Sequence, residues 1–398
     1  MQKKLLQAIF NRIKGKPFTV TYWDGTVEKY CAEYDLEPVF NLQIKDKLNL
    51  SQMLSDPELK FGEAYMDQKI ECKGDLRDVF ELLLENERLF KNSKNGNNLL
   101  KHFMRRQKDA TKQEQVENVQ YHYDLGNDFF ELWLDQTMSY SCAYFKTQQD
   151  TLAEAQLQKI DHILAKLQLK KGEKLLDIGS GWGWLVIKAA KEYGADAVGI
   201  TLSKEQMIAT RRRIQEEGLV GQVKVELIDY RDLADAQYQF DKVVSVGMFE
   251  HVGKENLAEY FKAVHNMIKP GGLSLLHTIT RPTEAPTNPW LEKYIFPWGY
   301  IPSLREALWE LSEHSFHIID VESLRLHYAM TTDRWARNFE AVADKVAEKY
   351  GERFVRMWRL YLVGCTMSFR YSGLDIHQIL FSKGLNNELP LTRDYLYQ

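Results

Sequence analysis

Leu175-Leu176-Asp177-Ile178-Gly179-Ser180-Gly181-Trp182-Gly183 is an apolar run that ends on an acid and enters three glycines at alternate positions. Glycines there let the backbone turn tightly and approach a ligand at the carboxyl end of a first strand, before a helix that begins near Trp184. Working outward, DAVGIT, VKVELID, FDKVVSVGM and GGLSLLHTI repeat the pattern of short apolar strands bounded by glycine, charge or turn residues, with helical stretches between them. Such alternation predicts an α/β fold, with a mostly parallel, doubly wound sheet covered on both faces.

The glycine spacing is not G-x-G-x-x-G, which disfavours a dinucleotide. D-x-G-x-G-x-G is the signature of methyltransferases on a Rossmann-like doubly wound sheet, so Asp177, Gly179, Gly181 and Gly183 are expected to hold S-adenosylmethionine as a carbon donor. Many nucleoside-binding sheets end their second strand in an acid that grips the ribose. Here Thr201-Leu202 followed by Gln206 must supply those contacts. After the third strand, Asp229 is expected at the adenine amine, with Tyr230 beside the ring and Arg231 next to it; for Tyr230, a plain core or surface aromatic is an equal alternative.

A chain of 398 residues suits two domains. Residues 1–90 read as a smaller α+β unit. Leu5, Leu6, Ile9 and Ile13 recur at helical spacing, Asp24-Gly25 turns a hairpin, Asp56-Pro57 opens a helix, and a further helix covers 75–87. The polar, basic segment 91–115 reads as a linker, and 116–398 as the catalytic domain with a helical cap. Apolar residues make up 44% and charged residues 27%, which suits a globular protein without a membrane span or a secretory signal. Four cysteines far apart imply a reducing cytoplasm and no metal site. The net charge of −4 hides two basic stretches, 1–16 and 91–115. They suit an anionic surface, or are simply solvated faces.

Four clusters remain for the acceptor: Tyr121-His122-Tyr123-Asp124, Tyr140-Ser141-Cys142-Ala143-Tyr144, Glu250-His251, and His277-Thr278-Ile279. The last two end the fourth and fifth strands, on the ligand rim of such a sheet. YHYDLGNDFFELWLDQTMSYSCAYF, LLDIGSGWGWL, VVSVGMFEHVG, LLHTI, YIFPWGYIPS and RYSGLDIHQILFSKG, in that order, resemble the cyclopropane-fatty-acyl-phospholipid synthases. The resemblance runs from about Val116 to Gly384, and the N-terminal unit is similar to the extra domain of the bacterial members.

The resemblance implies methyl transfer from S-adenosylmethionine to the cis double bond of an unsaturated phospholipid acyl chain. A carbocation follows, and bound bicarbonate takes the proton that lets the ring close. An alkene is a weak nucleophile, so most of the rate gain must come from positioning. The matching bicarbonate set is Cys142, Glu250, His277, Ile279 and Tyr328, and Cys365 matches a cysteine sometimes given a catalytic role. Tyr328 stands in LRLHYAMTT, which departs from the family's usual local sequence. Tyr140 and Ser141 match positions that touch the methionine part of the cosubstrate. The aromatics from Trp290 to Tyr300 suit an acyl-chain tunnel or a packed cap.

A substrate drawn from a bilayer implies docking on the inner face of the membrane by residues 1–90 and the linker, with a homodimer left open. Two rivals are a related small-molecule N-methyltransferase and a lipid C-methyltransferase; a third, from another class, is a lipid-transfer protein with a dead cosubstrate site. Nucleic acid is disfavoured, because the basic residues flank the catalytic domain and line no groove.

Overall fold

The computed structural model describes residues 2–31, 36–86 and 125–397. These fall into two compact units, one of 2–31, 36–86, 288–295 and 339–373, the other of 125–287, 296–338 and 374–397. The first unit therefore takes in two segments from the C-terminal half, whereas the sequence reading gave everything after 116 to the second. The segment 91–115 and the Tyr121–Asp124 cluster lie outside the described residues.

In the first unit, β1 (Phe18–Thr21) and β2 (Val27–Tyr30) form the expected hairpin around Asp24-Gly25. β3 (Phe40–Ile44) and β4 (Ile70–Gly74) complete a sheet of order β2-β1-β3-β4. The helix Pro57–Met66 starts where Asp56 accepts from the Leu59 amide, with Pro57 at its first position. It packs, with the helix Leu76–Glu85, against the helix Glu352–Met367. There the buried Arg356 guanidinium lies 4.1 Å from the Tyr65 ring centroid and donates to the Tyr65 and Ile70 carbonyls at 2.6 and 3.0 Å. Trp290 fills the space left by Gly62, where a Cβ would stand 2.3 Å from the indole, and donates to the Met66 sulfur at 3.3 Å.

The second unit holds seven strands: β5 (Lys174–Ile178), β6 (Asp196–Thr201), β7 (Val223–Leu227), β8 (Phe240–Val246), β9 (Ile268–Thr280), β10 (Phe316–Ser323) and β11 (Asp375–Lys383). Their order is β10-β11-β9-β8-β5-β6-β7, with β5 to β9 parallel and β11 antiparallel to both neighbours. This is the expected doubly wound α/β sheet, extended at one edge by an antiparallel pair. Alternate residues feed two cores: Leu176, Ile178 and Val243 pack on one face, Leu175, Ala197 and Val244 on the other. Order reverses at β5, between β6 and β8, which opens a crevice beyond its carboxyl end.

The helix Leu152–Lys166 covers the second face and is buried along its polar residues as well as its apolar ones. Its polar residues Gln156, Lys159, His162 and Lys166, at spacings of three and four, are all buried. Each finds partners inside: Gln156 donates to the Ser139 and Ser141 carbonyls, Lys159 to the Ser141 hydroxyl, and His162 and Lys166 both meet Glu322.

Candidate active site

Beyond Ile178 the amides of Gly179 and Ser180 both donate to the Ile200 carbonyl at 2.9 Å, tying the turn to the neighbouring strand. Gly183 sits in the left-handed region at φ 81°, where an added Cβ would come within 2.3 Å of Thr210. The helix Trp184–Tyr193 starts directly after it. This turn floors a cleft lined by all twelve expected cosubstrate residues: Tyr140, Ser141, Asp177, Gly179, Gly181, Gly183, Thr201, Leu202, Gln206, Asp229, Tyr230 and Arg231.

Local bonds preset the walls. The Thr201 hydroxyl donates to Gln206 Oε1 at 2.8 Å and accepts the Ser203 amide at 3.1 Å. Asp229 caps the helix Tyr230–Asp235 and is gripped by Arg231 through Nε and Nη2 at 2.8 and 2.9 Å. That carboxylate, expected at an adenine amine, is thus already charge-paired. Tyr230 is both core and lining: its ring packs on Tyr260, and its buried hydroxyl has no hydrogen-bond partner among the described residues.

Asp177 shares its sheet face with Leu175, beneath the helix Leu152–Lys166. Burial pushes its carboxyl up to about 7, opposed by Lys159. Asp177 Oδ1 and Ser180 Oγ are enclosed and make no hydrogen bond among the described residues. Buried polar atoms of that kind need a ligand or water, so the cleft fits the polar edge of a nucleoside bearing an amino acid.

The second group converges near Ile279. Cys142, Ile279 and Tyr328 belong to one cluster with Leu324, Ile376 and Tyr144. Glu250 Oε1 accepts the Ile279 amide at 2.7 Å, while its enclosed Oε2 makes no hydrogen bond among the described residues. Burial raises the Glu250 carboxyl above its ordinary range, the Ile279 amide opposing it. His277, two residues before Ile279 and on the same side of β9, is wholly buried, and desolvation drives its pKa far down. The imidazole is therefore neutral. Burial likewise raises the Cys142 thiol, which donates to the Ala143 carbonyl at 3.2 Å. The two groups join through the chain, since Ser141 and His251 line the cleft beside Cys142 and Glu250.

Cys365 lies on the Glu352–Met367 helix of the first unit, its thiol pushed up to about 12 by burial. Trp290 and Tyr294 also belong to the first unit, whereas Phe296, Trp298 and Tyr300 belong to the second.

Sequence reasoning missed Lys159 and Gln378. Gln378 pairs with His277 across β11 and β9, and its Nε2 donates to His277 Nδ1 at 3.1 Å. The bond leaves the proton on Nε2, which has no partner among the described residues. Gln378→Leu is expected to cost about 1–3 kcal/mol of stability in urea unfolding, because a buried nitrogen loses its partner. Nitrogen chemical shifts should show His277 changing from one tautomer to a mixture; an unchanged ring would contradict this assignment.

The profile of the mycolic acid cyclopropane synthetase family matches residues 110–379. A domain of unknown function, DUF7884, matches residues 5–95. A Pseudomonas putida protein named "probable fatty acid methyltransferase" is 39% identical over 394 residues, covering 96% of this chain and 96% of its own length. The cyclopropane-fatty-acyl-phospholipid synthase of Escherichia coli K12 is 40% identical over 366 residues, covering 89% and 90%. Among solved structures, mycolic acid cyclopropane synthase CmaA1 complexed with SAH and CTAB aligns with a TM-score of 0.64 at 35% identity, covering 67% of this chain and 98% of that one. With a cleft built for a nucleoside-bearing amino acid and a match over most of its length, the chain belongs to the mycolic acid cyclopropane synthetase family of S-adenosylmethionine-dependent transferases.

Proposed function

We propose that the chain is a cyclopropane-fatty-acyl-phospholipid synthase, adding a methylene unit across the cis double bond of phospholipid acyl chains, with bicarbonate as the proton acceptor. The observation that carries this reading is the convergence of Cys142, Glu250, His277 and Tyr328 on Ile279, next to the cosubstrate cleft. When bound, S-adenosylmethionine supplies a methyl group activated by its positive sulfur, and bicarbonate supplies a mobile base.

The protein's own part is positioning and anion binding. His277 is neutral with its proton on Nε2, so it serves as a donor and not as a competing base. Glu250, raised by burial, shares a proton at Oε2 and so avoids a like-charge contact with an anion. The Tyr328 hydroxyl and Cys142 complete a small polar cradle in an apolar wall, which keeps bulk water from an electron-poor carbon. Tyr140 packs on Trp133 and Trp335, and Trp335 packs on Tyr328, so aromatic faces link the cleft wall to this cradle. Such faces favour a passing cation.

No helix of the described residues is long and apolar enough to cross a membrane. Reversible docking on the inner membrane surface through residues 1–90 accounts for access to acyl chains. The helix Gln2–Phe10, with Lys3 and Lys4 beside a buried Leu6 and an exposed Leu5, supports that reading.

The test is mass spectrometry after incubation with S-adenosylmethionine and unsaturated phospholipid liposomes, with and without bicarbonate. Cyclopropanation gives acyl chains one CH₂ heavier that have lost their double bond, with the yield rising with bicarbonate. Retained alkene or a methyl branch would move the assignment to lipid C-methylation, the reading that the Pseudomonas putida relative's name favours. The same liposomes, floated on a density gradient, read docking; full flotation with residues 1–90 removed would sink that role.

A further inference from the structure

We propose that Lys159 is a positioning residue for the cosubstrate: acting with Ser141, it supplies the buried positive charge that receives the carboxylate of S-adenosylmethionine. The inference rests on the cleft taking that ligand.

Lys159 projects from the buried polar stripe of the helix Leu152–Lys166 and lines the cleft while only 4% exposed. Its Nζ donates to Ser141 Oγ at 2.9 Å. An ammonium carries three donors, and no carboxylate of a described residue stands within 4.0 Å of this one. Ser141 is itself fixed, because Gln156 holds its carbonyl at 2.9 Å. Since Ser141 Oγ accepts from Lys159, its own proton is directed elsewhere and serves as a second donor.

The other cation lining the cleft, Arg231, is committed to Asp229 through two bonds. Lys159 is therefore the cation of the described lining that still has charge to offer. The groups that act on it electrostatically are Asp135 and Cys142 from the segment before its helix and Asp177 from β5; across the sheet His277 on β9 feels its charge. Burial depresses its pKa to about 8 in spite of Asp135 and Asp177. An arriving carboxylate would replace part of the lost hydration and hold the charge in place. Fixing that end of the ligand fixes its sulfur as well, which is how a contact remote from the reacting carbon contributes to rate.

The test compares two probes by isothermal titration calorimetry. S-adenosylhomocysteine carries the amino-acid end; 5′-methylthioadenosine shares the nucleoside and sulfur but lacks it. Lys159→Met is expected to weaken S-adenosylhomocysteine about tenfold to a hundredfold, as for a lost charge-assisted hydrogen bond, and to leave 5′-methylthioadenosine nearly unchanged. Ser141→Ala should give the same selectivity with a smaller loss. Equal loss of both probes, including through misfolding, or no loss of either, overturns the proposal. An unaltered protein that binds neither probe would instead refute the cosubstrate assignment of the cleft.

Discussion

Glu250→Gln is expected to lower the rate of methylene transfer by about a hundredfold to ten-thousandfold, the range of a positioned proton-handling group, with S-adenosylhomocysteine affinity almost unchanged. Glutamine keeps the Oε1 acceptor that the Ile279 amide needs at 2.7 Å, so the end of β9 stays anchored. What it loses is the ability to give and take a proton at the enclosed Oε2. Burial raises the carboxyl above its ordinary range, which favours a proton there that can be shared with an anion, as glutamine cannot do. Product quantified by mass spectrometry in the presence of saturating bicarbonate checks it. A rate within a few fold of the unaltered protein would remove Glu250 from the chemistry.

Gly183→Ala should be the most damaging single methyl in the second unit. A non-glycine residue in the left-handed region costs about 1–2 kcal/mol, and the new Cβ would meet Thr210 Cγ2 at 2.3 Å. Overpacking adds about 1–3 kcal/mol, so urea unfolding should report a loss of about 2–5 kcal/mol. Gly181→Ala is the informative contrast. Its φ is also positive, but nothing stands within 4 Å of its Cβ. It should lose only the backbone part of that stability, while its methyl enters the cleft and weakens S-adenosylhomocysteine. Equal stability losses in the two variants would show that the Thr210 contact relaxes cheaply.

What was legible in the sequence is what is contiguous. Leu175 to Gly183 carries strand, acid, glycines and helix start in one run, and the strand–helix alternation around it gave the doubly wound sheet. Asp56-Pro57 and Asp24-Gly25 act within a few residues of themselves, so their turn and cap were also readable. The family strings brought Cys142, Glu250, His277, Ile279 and Tyr328 onto one list, though nothing in their spacing says that they meet.

Lys159 and Gln378 were illegible for opposite reasons. Lys159 belongs to a polar stripe that by periodicity reads as a solvated face; only the segment Ser139–Ser141 and Glu322, from distant parts of the chain, make that face an interior. Gln378 is a single polar residue in an apolar strand, and its meaning lies in a register with His277 that no local pattern encodes. The return of 339–373 to the first unit was hidden likewise, since a buried arginine such as Arg356 looks in sequence like any surface cation.

The placement of β11 bears on synthesis. Residues 375–383 thread between β9 and β10, two strands made much earlier on the ribosome, and hydrogen-bond to both. Every strand and glycine of the cosubstrate cleft has been translated before Asn256, but the partner of His277 emerges more than a hundred residues later. A nascent chain can thus hold the strands and the glycine turn of the cleft while two strand edges stand open, Tyr140 awaits Trp335 and the imidazole lacks its tautomer-setting partner. A chain released before β11 leaves exposed backbone for chaperones or proteases to find.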